Sequence, residues 1–443
     1  DEKYSEAELE GKKYTYALDE KHRWHVWACP QLEDGKPDLK NAMTGKDLKQ
    51  YVDKELFPYL KSFKDTTQDP TSIKYKIGEI FSFLDNRIHS GHTLREALDI
   101  VDQFNFQSKD DLFELSEVYE SLLKGMGSDG GNAGEFYTPR PVIRTMIEAL
   151  APEVGKTVYD GATGSGGFLI QAYEYMRNQK GLKAKDWKFL QEKTFFGNEK
   201  TPLAYVMGVM NMILHGIESP NVYHRNTLTV DIRTLQESDR YDVILANPPF
   251  GGKEKAQIQQ NFPIKTNATE MLFMQHFMKS LKIGGKAAIV VPEGVLFQTA
   301  SAFASIKKEL LENFNLHTIL SLPAGVFLPY SGVKTNIIFF ERTGATQDIW
   351  YYEVNLPSKL TKNKPIEYEH FAEFLSLYEK RQDSDNSWTV NIADISNYDL
   401  SAKNPKKDEV IEHLPPTEIV NRIRENDKEC ESLLDEIETI LKK

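Results

Sequence analysis

The sequence predicts an α/β protein with a doubly wound, Rossmann-like sheet, a helical N-terminal domain and a C-terminal helix. Short runs rich in Val, Ile and Phe alternate with helical stretches from about residue 135 to 345, which is typical of such a sheet. Apolar residues recur at helical spacing in the first hundred residues, and a heptad-like series ends the chain. With 443 residues and 40% hydrophobic content, the chain can bury more than one core, and its length indicates two or three domains.

A mainly helical N-terminal domain is predicted over residues 1–124. Its stretch 48–57 spaces apolar residues as a helix does, and Trp24 and Trp27 are interpreted as core residues rather than ligand contacts. A glycine-rich segment over 125–134 marks the boundary before the sheet domain. That segment is either a plain linker or a lid that orders when a ligand binds.

The sheet domain spans residues 135–400, and its first strand is Val158–Asp160. The strand leads into a turn that opens a helix, with the sequence Gly161, Ala162, Thr163, Gly164, Ser165, Gly166, Gly167 and Phe168. Glycines in such a turn let a ligand approach the backbone. Dinucleotide-binding Rossmann turns share this pattern, so the turn alone indicates a nucleotide-type ligand without identifying it.

The second predicted strand, 194–199, ends in Glu199, a carboxylate suited to accept hydrogen bonds from both hydroxyls of a ribose. A solvated strand end is the alternative interpretation of this residue. After the third strand, Asn226 is the candidate to reach a purine amino group, and Asp231 is its rival. For either side chain, a loop position that faces water remains open.

The fourth predicted strand, Tyr241–Ala246, is followed by Asn247, Pro248, Pro249 and Phe250, the most informative feature of the chain. An exocyclic amino group delocalises its lone pair into the ring and is a poor nucleophile until both of its hydrogens are held. The Asn247 side-chain oxygen and the Pro248 carbonyl supply two acceptors, and Phe250 can stack on an extruded base. The tetrapeptide favours methyl transfer to nitrogen over the simpler interpretation, a strand followed by a proline-stiffened loop.

The order of these features indicates the cofactor. A Ser/Gly turn, an acidic strand end and Asn-Pro-Pro-Phe, in that order, favour S-adenosyl-L-methionine over a nicotinamide, because the former needs no phosphate cradle. No cysteine lies near these motifs, so we expect direct in-line transfer without a covalent enzyme intermediate. Asn247 then acts by positioning and charge stabilisation, and Asn247→Ala should keep cofactor binding but lose turnover.

The segment over 251–269 follows the tetrapeptide directly and carries Lys253, Lys255 and Lys265. It contacts the DNA backbone or gates the base pocket, or else it is a surface loop with no role. Later strands are predicted at 286–291 and 335–340. They fit the antiparallel strand pair of methyltransferase sheets.

A C-terminal helix is predicted over residues 415–443. Its seam residues fall at alternating four- and three-residue steps, the spacing of a coiled coil, and are Ile419, Ile423, Asn426, Cys430, Leu433, Ile437 and Ile440. The single polar residue of the seam, Asn426, would set the register. The helix docks onto a helical element of a partner, or it packs back on its own domain.

The formal net charge of −12 is unfavourable for a chain that binds DNA alone, because tight phosphate binding normally requires clustered Lys and Arg. We therefore expect a partner that brings the duplex. Cys29 and Cys430 lack metal-ligand spacing, which favours a reducing compartment and no bound metal. No apolar stretch approaches about 20 residues and no secretion signal begins the printed sequence, so we expect a cytoplasmic protein without membrane contact. The sequence begins at Asp1 without an initiator Met, and we expect that residues preceded it.

From about residue 112 to its end, the chain resembles the methylation subunit of type I restriction-modification systems, an N6-adenine DNA methyltransferase that uses S-adenosyl-L-methionine. The resemblance rests on residues 134–142, the glycine turn, residues 210–218 and the Asn-Pro-Pro-Phe tetrapeptide. The family often has proline after the strand-ending acid, where this chain has Gly161. That departure loosens the turn without removing an acceptor.

The resemblance implies two sets of site residues. Those that hold the target adenine are Asn247, Pro248, Pro249 and Phe250. The cofactor set comprises Glu135, Phe136, Tyr137, Thr138, Pro139, Arg140, Asp160, Gly161, Ala162, Thr163, Gly164, Ser165, Gly166, Gly167, Phe168, Glu199 and Asn226. Within it, the segment 135–140 would wrap the methionine end of the cofactor, residues 165–167 would line its path, and Glu199 would hold the ribose.

The resemblance also implies an assembly. Its partners are a DNA specificity subunit that binds two copies of this chain, a restriction subunit that translocates and cuts, and double-stranded DNA whose target adenine is flipped out. The N-terminal domain would contact the specificity subunit and close on DNA. Residues 155–157 lack the earlier glycine of a phosphate-binding loop, so ATP-driven steps belong to another chain.

Two other functions remain open. A protein-glutamine methyltransferase would use the same Asn-Pro-Pro-aromatic grip on an amide, and analysis of the labelled product separates it from a DNA enzyme. A catalytically silent scaffold would act through its terminal helix, and the intact site motifs disfavour it.

Overall fold

A computed structural model of the chain describes residues 17–32, 36–38, 40–70, 72–103, 138–217, 220–328, 331–361 and 363–406, together with scattered positions within 115–121 and 424–434. The chain divides into two units, Asp1–Ala402 and Lys403–Lys443. The glycine-rich segment predicted at 125–134 lies outside the described residues.

Helices account for nearly all regular structure that is described between residues 17 and 103. They are α1 (Trp24–Trp27), α2 (Gly45–Tyr51), a π-helix (Val52–Leu56), α3 (Phe57–Thr66), α4 (Ile73–Phe83) and α5 (Gly91–Val101), preceded by a 3₁₀ turn (Glu20–His22). Serine hydroxyls cap two of them: Ser72 accepts from the Tyr75 N–H at the start of α4, and Ser90 accepts from the Thr93 N–H at the start of α5.

Three predictions about this region can be checked. The helix predicted over 48–57 is confirmed, although five of its residues form one wider π turn. Trp27 is buried, as predicted. The core prediction is wrong for Trp24, which is exposed because its indole N–H donates to the Asp102 carboxylate at 2.6 Å instead of entering the core.

The remainder of the first unit is an α/β sheet domain. Its strands are β1 (Val158–Asp160), β2 (Phe195–Glu199), β3 (Asn221–His224), β4 (Tyr241–Ala246), β5 (Leu281–Pro292), β6 (Asn315–Ser321), β7 (Thr335–Glu341), β8 (Asp348–Glu353) and β9 (Ser387–Asn391). Its helices are α6 (Arg140–Leu150), α7 (Gly167–Arg177), α8 (Ala184–Lys193), α9 (Pro202–Leu214), α10 (Ala256–Gln259), α11 (Thr269–Ser280), α12 (Glu293–Phe297), α13 (Ser301–Asn313) and α14 (Ala372–Tyr378).

The nine strands form one sheet in the order β3-β2-β1-β4-β5-β7-β6-β8-β9. Strands β1 to β5 are mutually parallel, whereas β7 is antiparallel to both of its neighbours, β5 and β6. The doubly wound α/β class is therefore confirmed, and so is the antiparallel pairing of the last predicted strand. Strands β8 and β9, which extend the sheet, were not predicted.

Apolar side chains cover both faces of the sheet, as a doubly wound fold requires. Alternate residues of β7 divide between the two cores: Ile337 and Phe339 pack with helices α6, α7 and α14, whereas Ile338 and Phe340 pack with α11 and α13. Every residue of β7 except the last is buried, which explains why the strand reads as a continuous apolar run.

The topology places a crevice at the carboxyl ends of the parallel strands. The chain runs from β1 outward to β2 and β3, and then returns to the other side of β1 to form β4. The connections that follow β1 and β4 run in opposite directions along the sheet. The gap between these two strands is the switch point at which open α/β sheets bind ligands. Asp160, Glu199 and Ala246 end β1, β2 and β4 at this edge.

Charged residues of α4 pack against the outer strand of the sheet domain. The Lys76 ammonium donates to the Val222 carbonyl of β3, and the Tyr205 hydroxyl of α9 donates to the Glu79 carboxylate. Lys76 is 1% exposed, and burial lowers its pKa to about 8. The N-terminal helices are thus held to the sheet by polar contacts inside a buried interface.

The second unit is described only in part. Its described residues between 424 and 434 are helical, and among the predicted seam residues Asn426, Cys430 and Leu433 are exposed. The rest of the helix predicted over 415–443 lies outside the described residues, so its docking role stays a prediction. In the described part of the chain, no helix has the length and apolar character needed to cross a membrane.

Candidate active site

A cavity of about 320 Å³ occupies the crevice at the carboxyl edge of the sheet. Twelve of the predicted site residues line it: Thr138, Gly161, Ala162, Thr163, Gly164, Ser165, Gly167, Phe168, Glu199, Asn226, Asn247 and Pro249. Predicted residues that the structure describes but that do not line the cavity are Pro139, Arg140, Asp160, Gly166, Pro248 and Phe250. Glu135, Phe136 and Tyr137 lie outside the described residues.

Backbone contacts hold the glycine turn in place. The Thr163 N–H and hydroxyl both donate to the Asn198 carbonyl, each at 3.1 Å, which ties the turn to the end of β2. On the other side, a Cβ at Gly208 of α9 would lie 2.6 Å from the Gly164 carbonyl oxygen. The α9 backbone therefore approaches the turn as closely as glycine permits, and Gly166 closes the turn with φ +82°, where glycine is favoured.

Glu199 is 6% exposed, and its carboxylate is fixed by two backbone donors. The Gly164 N–H donates to Oε2 at 2.9 Å, and the Thr201 N–H donates to Oε1 at 2.7 Å. Each carboxylate oxygen can accept a further hydrogen bond, so both remain competent toward a diol. Glu199 thus fixes the turn and also presents acceptors to the cavity.

Asp160 is buried behind the glycine turn. Its Oδ1 accepts from the Ala162 N–H at 2.9 Å, whereas its Oδ2 has no hydrogen-bond partner among the described residues. Burial raises the pKa of this carboxyl to about 8, and the nearby Glu199 adds to that rise. Asp160 therefore shapes the turn from inside and does not face the cavity.

The glycine that departs from the family pattern has a packing reason. A Cβ at Gly161 would lie 2.8 Å from a ring carbon of Phe277 and 3.1 Å from the Tyr159 hydroxyl. Neither atom is the end of a flexible side chain that could move aside. Residue 161 is glycine because α11 packs against the turn at this point.

Asn247 stands at the end of β4 with half of its amide paired. Its Nδ2 donates to the Thr138 hydroxyl at 3.0 Å, which joins the tetrapeptide to the segment that precedes α6. Its Oδ1 is buried and has no partner among the described residues. The amide thus presents an unpaired acceptor at the cavity wall.

The rest of the tetrapeptide differs in exposure. Pro248 is buried, and Pro249 is exposed where it lines the cavity. Phe250 is half-buried and packs edge-on against Phe327, with ring centroids 6.0 Å apart and planes at 86°. The contact fixes the ring of Phe250 without stacking on it.

Arg140 supports the start of α7. One of its Nη atoms donates to the Gly167 carbonyl at 3.2 Å, and burial lowers the pKa of the guanidinium to about 10. Pro139 precedes it as the N-terminal flanking residue of α6. Among the described residues of the predicted segment 135–140, Thr138 is the one that reaches the cavity.

The structure distinguishes the two candidates after β3. Asn226 lines the cavity, and its side-chain oxygen accepts from the Leu228 N–H at 3.0 Å, which fixes the side chain. Asp231 instead forms an ion pair with Arg233 at 2.7 Å and is not a lining residue. Placement therefore favours Asn226.

Sequence reasoning missed nine lining residues. They are Ile143, Asn198, Lys200, Thr201, Arg225, Thr227, Glu254, Thr269 and Phe273. Several directly flank predicted positions at strand ends, and that proximity could have found them. Thr269 and Phe273 belong to α11, which carries no local signal of a ligand.

The segment over 251–269 packs on the protein as a fixed wall. Lys253 pairs with Ala268 in an isolated bridge, and Phe262 is 1% exposed. The Asn261 amide donates to the Leu228 carbonyl at 3.0 Å, and Glu254 lines the cavity. Most other residues of the segment are exposed or half-buried, and its part in DNA contact or in gating the base pocket stays a prediction.

The N-6 DNA methylase family model matches residues 108–413 of the chain. The Type I restriction enzyme EcoEI methylase subunit of Escherichia coli is 34% identical over 456 aligned residues, which cover 100% of this chain and 90% of that protein.

Two solved structures are similar along most of their length. One is a modification subunit of a putative type I restriction enzyme from Vibrio vulnificus YJ016, with 38% identity, a TM-score of 0.82 and coverage of 92% of this chain and 89% of that one. The other comes from a study of complex assembly and conformational transition of the type I R-M system, with 42% identity, a TM-score of 0.80 and coverage of 99% and 90%.

Proposed function

Because the chain belongs to the N-6 DNA methylase family, we propose that it transfers a methyl group from S-adenosyl-L-methionine to N6 of an adenine turned out of duplex DNA. Its family makes it an adenine-specific DNA methyltransferase and a methylase subunit of a type I restriction enzyme. To these facts we add the cofactor, the flipped base and the roles of individual residues.

The observation that carries this proposal is the unpaired acceptor of Asn247. Its Oδ1 is buried without a partner among the described residues, while Thr138 holds its Nδ2. A buried acceptor without a hydrogen bond costs about 1–3 kcal/mol, so a donor from outside the chain would recover that stability. An exocyclic amino group is such a donor. We assign the Pro248 carbonyl as the second acceptor.

The described lining residues fit S-adenosyl-L-methionine. Glu199 offers two carboxylate oxygens to the ribose, the glycine turn admits a ligand close to its backbone, and Asn226 stands near the purine end. Bound there, the cofactor supplies an electrophilic methyl group on a sulfonium. We propose that the segment 135–140 wraps the methionine end of the cofactor, and Thr138 is its described residue that lines the cavity.

Asn247 and Phe250 act on the target base. Turning an adenine out of the duplex costs a few kcal/mol of stacking and pairing, which a stacked aromatic ring offsets in part. Phe250 is fixed edge-on by Phe327, so its position is set before the base arrives. Asn247 and the Pro248 carbonyl then hold the two N6 hydrogens and stabilise the positive charge that develops on the nitrogen.

The chemistry needs positioning more than a strong base. Glu199 and the glycine turn would hold the cofactor, whose sulfonium would supply the methyl group. Asn247 and the Pro248 carbonyl would align the adenine amino group to receive it. Asn247 does not change its protonation state in this step. Holding the amine in the attack geometry supplies the largest part of the rate enhancement.

The resemblance to type I methylase subunits supports the proposed assembly, and the net charge supports the need for a partner that brings the duplex. With a net charge of −12, the chain has few phosphate contacts of its own to offer, so a specificity subunit reads the sequence and brings the duplex. Two copies of this chain bind each specificity subunit, and a restriction subunit supplies the ATP-driven steps. The N-terminal helices and the C-terminal helix are the surfaces we assign to these contacts.

The proposal is tested by following a labelled methyl group. The chain, co-purified with its specificity subunit, is incubated with duplex DNA and methyl-labelled S-adenosyl-L-methionine, and the product is digested to nucleosides. We expect the label in N6-methyl-2′-deoxyadenosine. Asn247→Ala should lower the single-turnover rate by about 10²–10³-fold and change the cofactor Kd less than about threefold.

Asn355→Ala, at an exposed asparagine beyond β8, is the matched control and should behave as wild type. Label in an amino acid of the protein fraction would instead favour glutamine methylation. Equal rates for Asn247→Ala and wild type would overturn the assignment of the amide.

A further inference from the structure

A line of polar side chains leads from Arg225, which is exposed at the cavity wall, into the core. The Arg225 Nε–H donates to Asn198 Oδ1 at 2.7 Å, and Asn198 Nδ2 donates to the Tyr159 hydroxyl at 2.8 Å. The Tyr159 oxygen lies 2.9 Å from His276 Nε2. Arg225 and Asn198 line the cavity, whereas Tyr159 and His276 are 2% and 3% exposed.

The chemistry of its members gives the line a single direction. Arginine can only donate, so Asn198 must present its oxygen to Arg225 and its NH₂ to Tyr159. The Tyr159 oxygen accepts from Asn198, and its own proton is then available for His276 Nε2.

The imidazole of His276 is enclosed in the core. Burial, and to a smaller degree the charge of Arg225, lower its pKa to about 3, which favours the neutral ring. The Ser280 hydroxyl, 3.3 Å from Nε2, is the other polar group on this nitrogen, and Nδ1 has no partner among the described residues. The buried ring therefore holds the Tyr159 hydroxyl in place through Nε2.

Such a line is costly for a hydrophobic core. Tyr159 belongs to the same apolar cluster as Phe277, and Tyr241 stacks on it with centroids 4.3 Å apart. Apolar side chains could fill this space without requiring any hydrogen bond, because buried polar groups need partners to be tolerated. What the polar line provides is the orientation of Asn198 and, through it, of Arg225 at the cavity.

Arg225 is restrained from three directions. Its backbone N–H donates to the Glu199 carbonyl at 2.9 Å, its Nε donates to Asn198, and its guanidinium lies 5.2 Å from the centre of the Tyr223 ring. Donors of Arg225 and acceptors of Glu199 therefore border the same part of the cavity. A ribose and a purine, which carry both kinds of group, match this combination.

We propose that Arg225 is a specificity-determining residue for the adenosine portion of the cofactor, and that Tyr159 and His276 are positioning residues that act on it through Asn198. This inference rests on the proposed function, because it assumes that the cavity binds S-adenosyl-L-methionine. Removing Tyr159 or His276 from the line should loosen Arg225, and any such change should weaken cofactor binding more than it slows methyl transfer.

The test is a double-mutant cycle on the co-purified methyltransferase complex. Tyr159→Phe, Arg225→Ala and the double variant are compared by titration calorimetry with S-adenosyl-L-methionine and by single-turnover transfer at saturating cofactor. Each single variant should bind about five- to tenfold more weakly, and its single-turnover rate at saturating cofactor should fall by a smaller factor than its affinity. The double variant should be no weaker than Arg225→Ala, because both changes remove the same interaction.

Tyr351→Phe is the matched control, since Tyr351 is 3% exposed and also loses one buried hydrogen bond, to the Leu400 carbonyl at 3.1 Å. It should destabilise the fold comparably and keep wild-type affinity. His276→Gln, which keeps an acceptor, should bind the cofactor more tightly than His276→Leu, which has none.

Wild-type affinity in Tyr159→Phe, or additive losses in the double variant, would overturn the positioning role while leaving the proposed function intact. Absence of cofactor binding by the wild-type complex would overturn the proposed function itself, and the inference with it.

Discussion

At the scale of single residues, buried polar atoms without hydrogen-bond partners indicate the site better than the amino-acid composition does. Asn247 Oδ1 and Asp160 Oδ2 both lack hydrogen bonds among the described residues, one at the cavity wall and the other behind the glycine turn. Globular proteins pair nearly all such atoms, so an exception needs a reason. We assign the first to a substrate amine, whereas the second is a carboxyl kept protonated.

Asp160 gives stability a particular pH dependence. Its pKa is raised to about 8 in the fold, whereas an unfolded aspartate titrates near 4. Between these values the folded state keeps a proton that the unfolded state has lost, so this group lowers stability as pH rises from about 4 to 8. In Asp160→Asn that dependence is absent, and the variant should gain stability over wild type by at most about 1.4 kcal/mol per pH unit.

Urea unfolding at pH 5, 6, 7 and 8 measures this gain, with Asp65→Asn at an exposed aspartate as the control. A constant difference between Asp160→Asn and wild type across the series would contradict the raised pKa.

Sequence patterns located the residues that lie in contiguous motifs. The glycine turn, Glu199 and Asn247 each follow a strand, so their meeting at one sheet edge could be predicted. Arg225 was not singled out because the hydrogen bond to Asn198 that positions it is a tertiary contact, and Phe273 was missed because α11 carries no local signal of a ligand. Such contacts depend on the tertiary fold and leave no periodic pattern in the local sequence.

At the scale of elements, helix α9 packs backbone to backbone against the glycine turn. A Cβ at Gly208 would approach the Gly164 carbonyl to 2.6 Å, so Gly208→Ala must displace the turn. Alanine would otherwise favour the helix by about 1 kcal/mol. We expect this clash to outweigh the gain in helix propensity. Gly208→Ala should still fold, but its affinity for the cofactor should be at least tenfold lower.

Calorimetric titration with S-adenosyl-L-methionine checks this expectation. Gly294→Ala in α12 is the control, because its Cβ would meet only the end of the Gln298 side chain, at 3.3 Å. Unchanged affinity in Gly208→Ala would show that the turn tolerates the shift.

The strands that sequence reasoning found are those with long apolar runs or a motif at their end. The strand predicted over 286–291 lies within β5, and Tyr241–Ala246 is matched residue for residue. Strands β6, β8 and β9 were missed because their pairing is set by long-range contacts. Strand β9 has only five residues, of which the first two are buried, and it pairs with β8 across an intervening helix. A short run of that kind resembles a loop until its partner is known.

At the scale of the whole molecule, the contact between α4 and β3 fixes the N-terminal helices on the sheet domain. Lys76→Ala would remove the donor from the Val222 carbonyl and the cation beside Glu79, both inside the interface. Breaking a buried charged network costs about 3–5 kcal/mol. We expect a clearly lower free energy of unfolding for this variant.

Denaturant titration measures the loss. Lys61→Ala is the control, since Lys61 forms an exposed ion pair with Asp85, and such pairs contribute about 0–1 kcal/mol. Equal losses in the two variants would contradict a structural role for Lys76.

The central claim is that this chain methylates adenine N6 in DNA through Asn247. The most direct measurement is a genome-wide map of N6-methyladenine in cells that carry either the native gene or its Asn247→Ala form, each at matched protein levels. We predict methylation at one split recognition sequence with the native gene and its loss in the variant. Methylation at that sequence in both strains would contradict the claim.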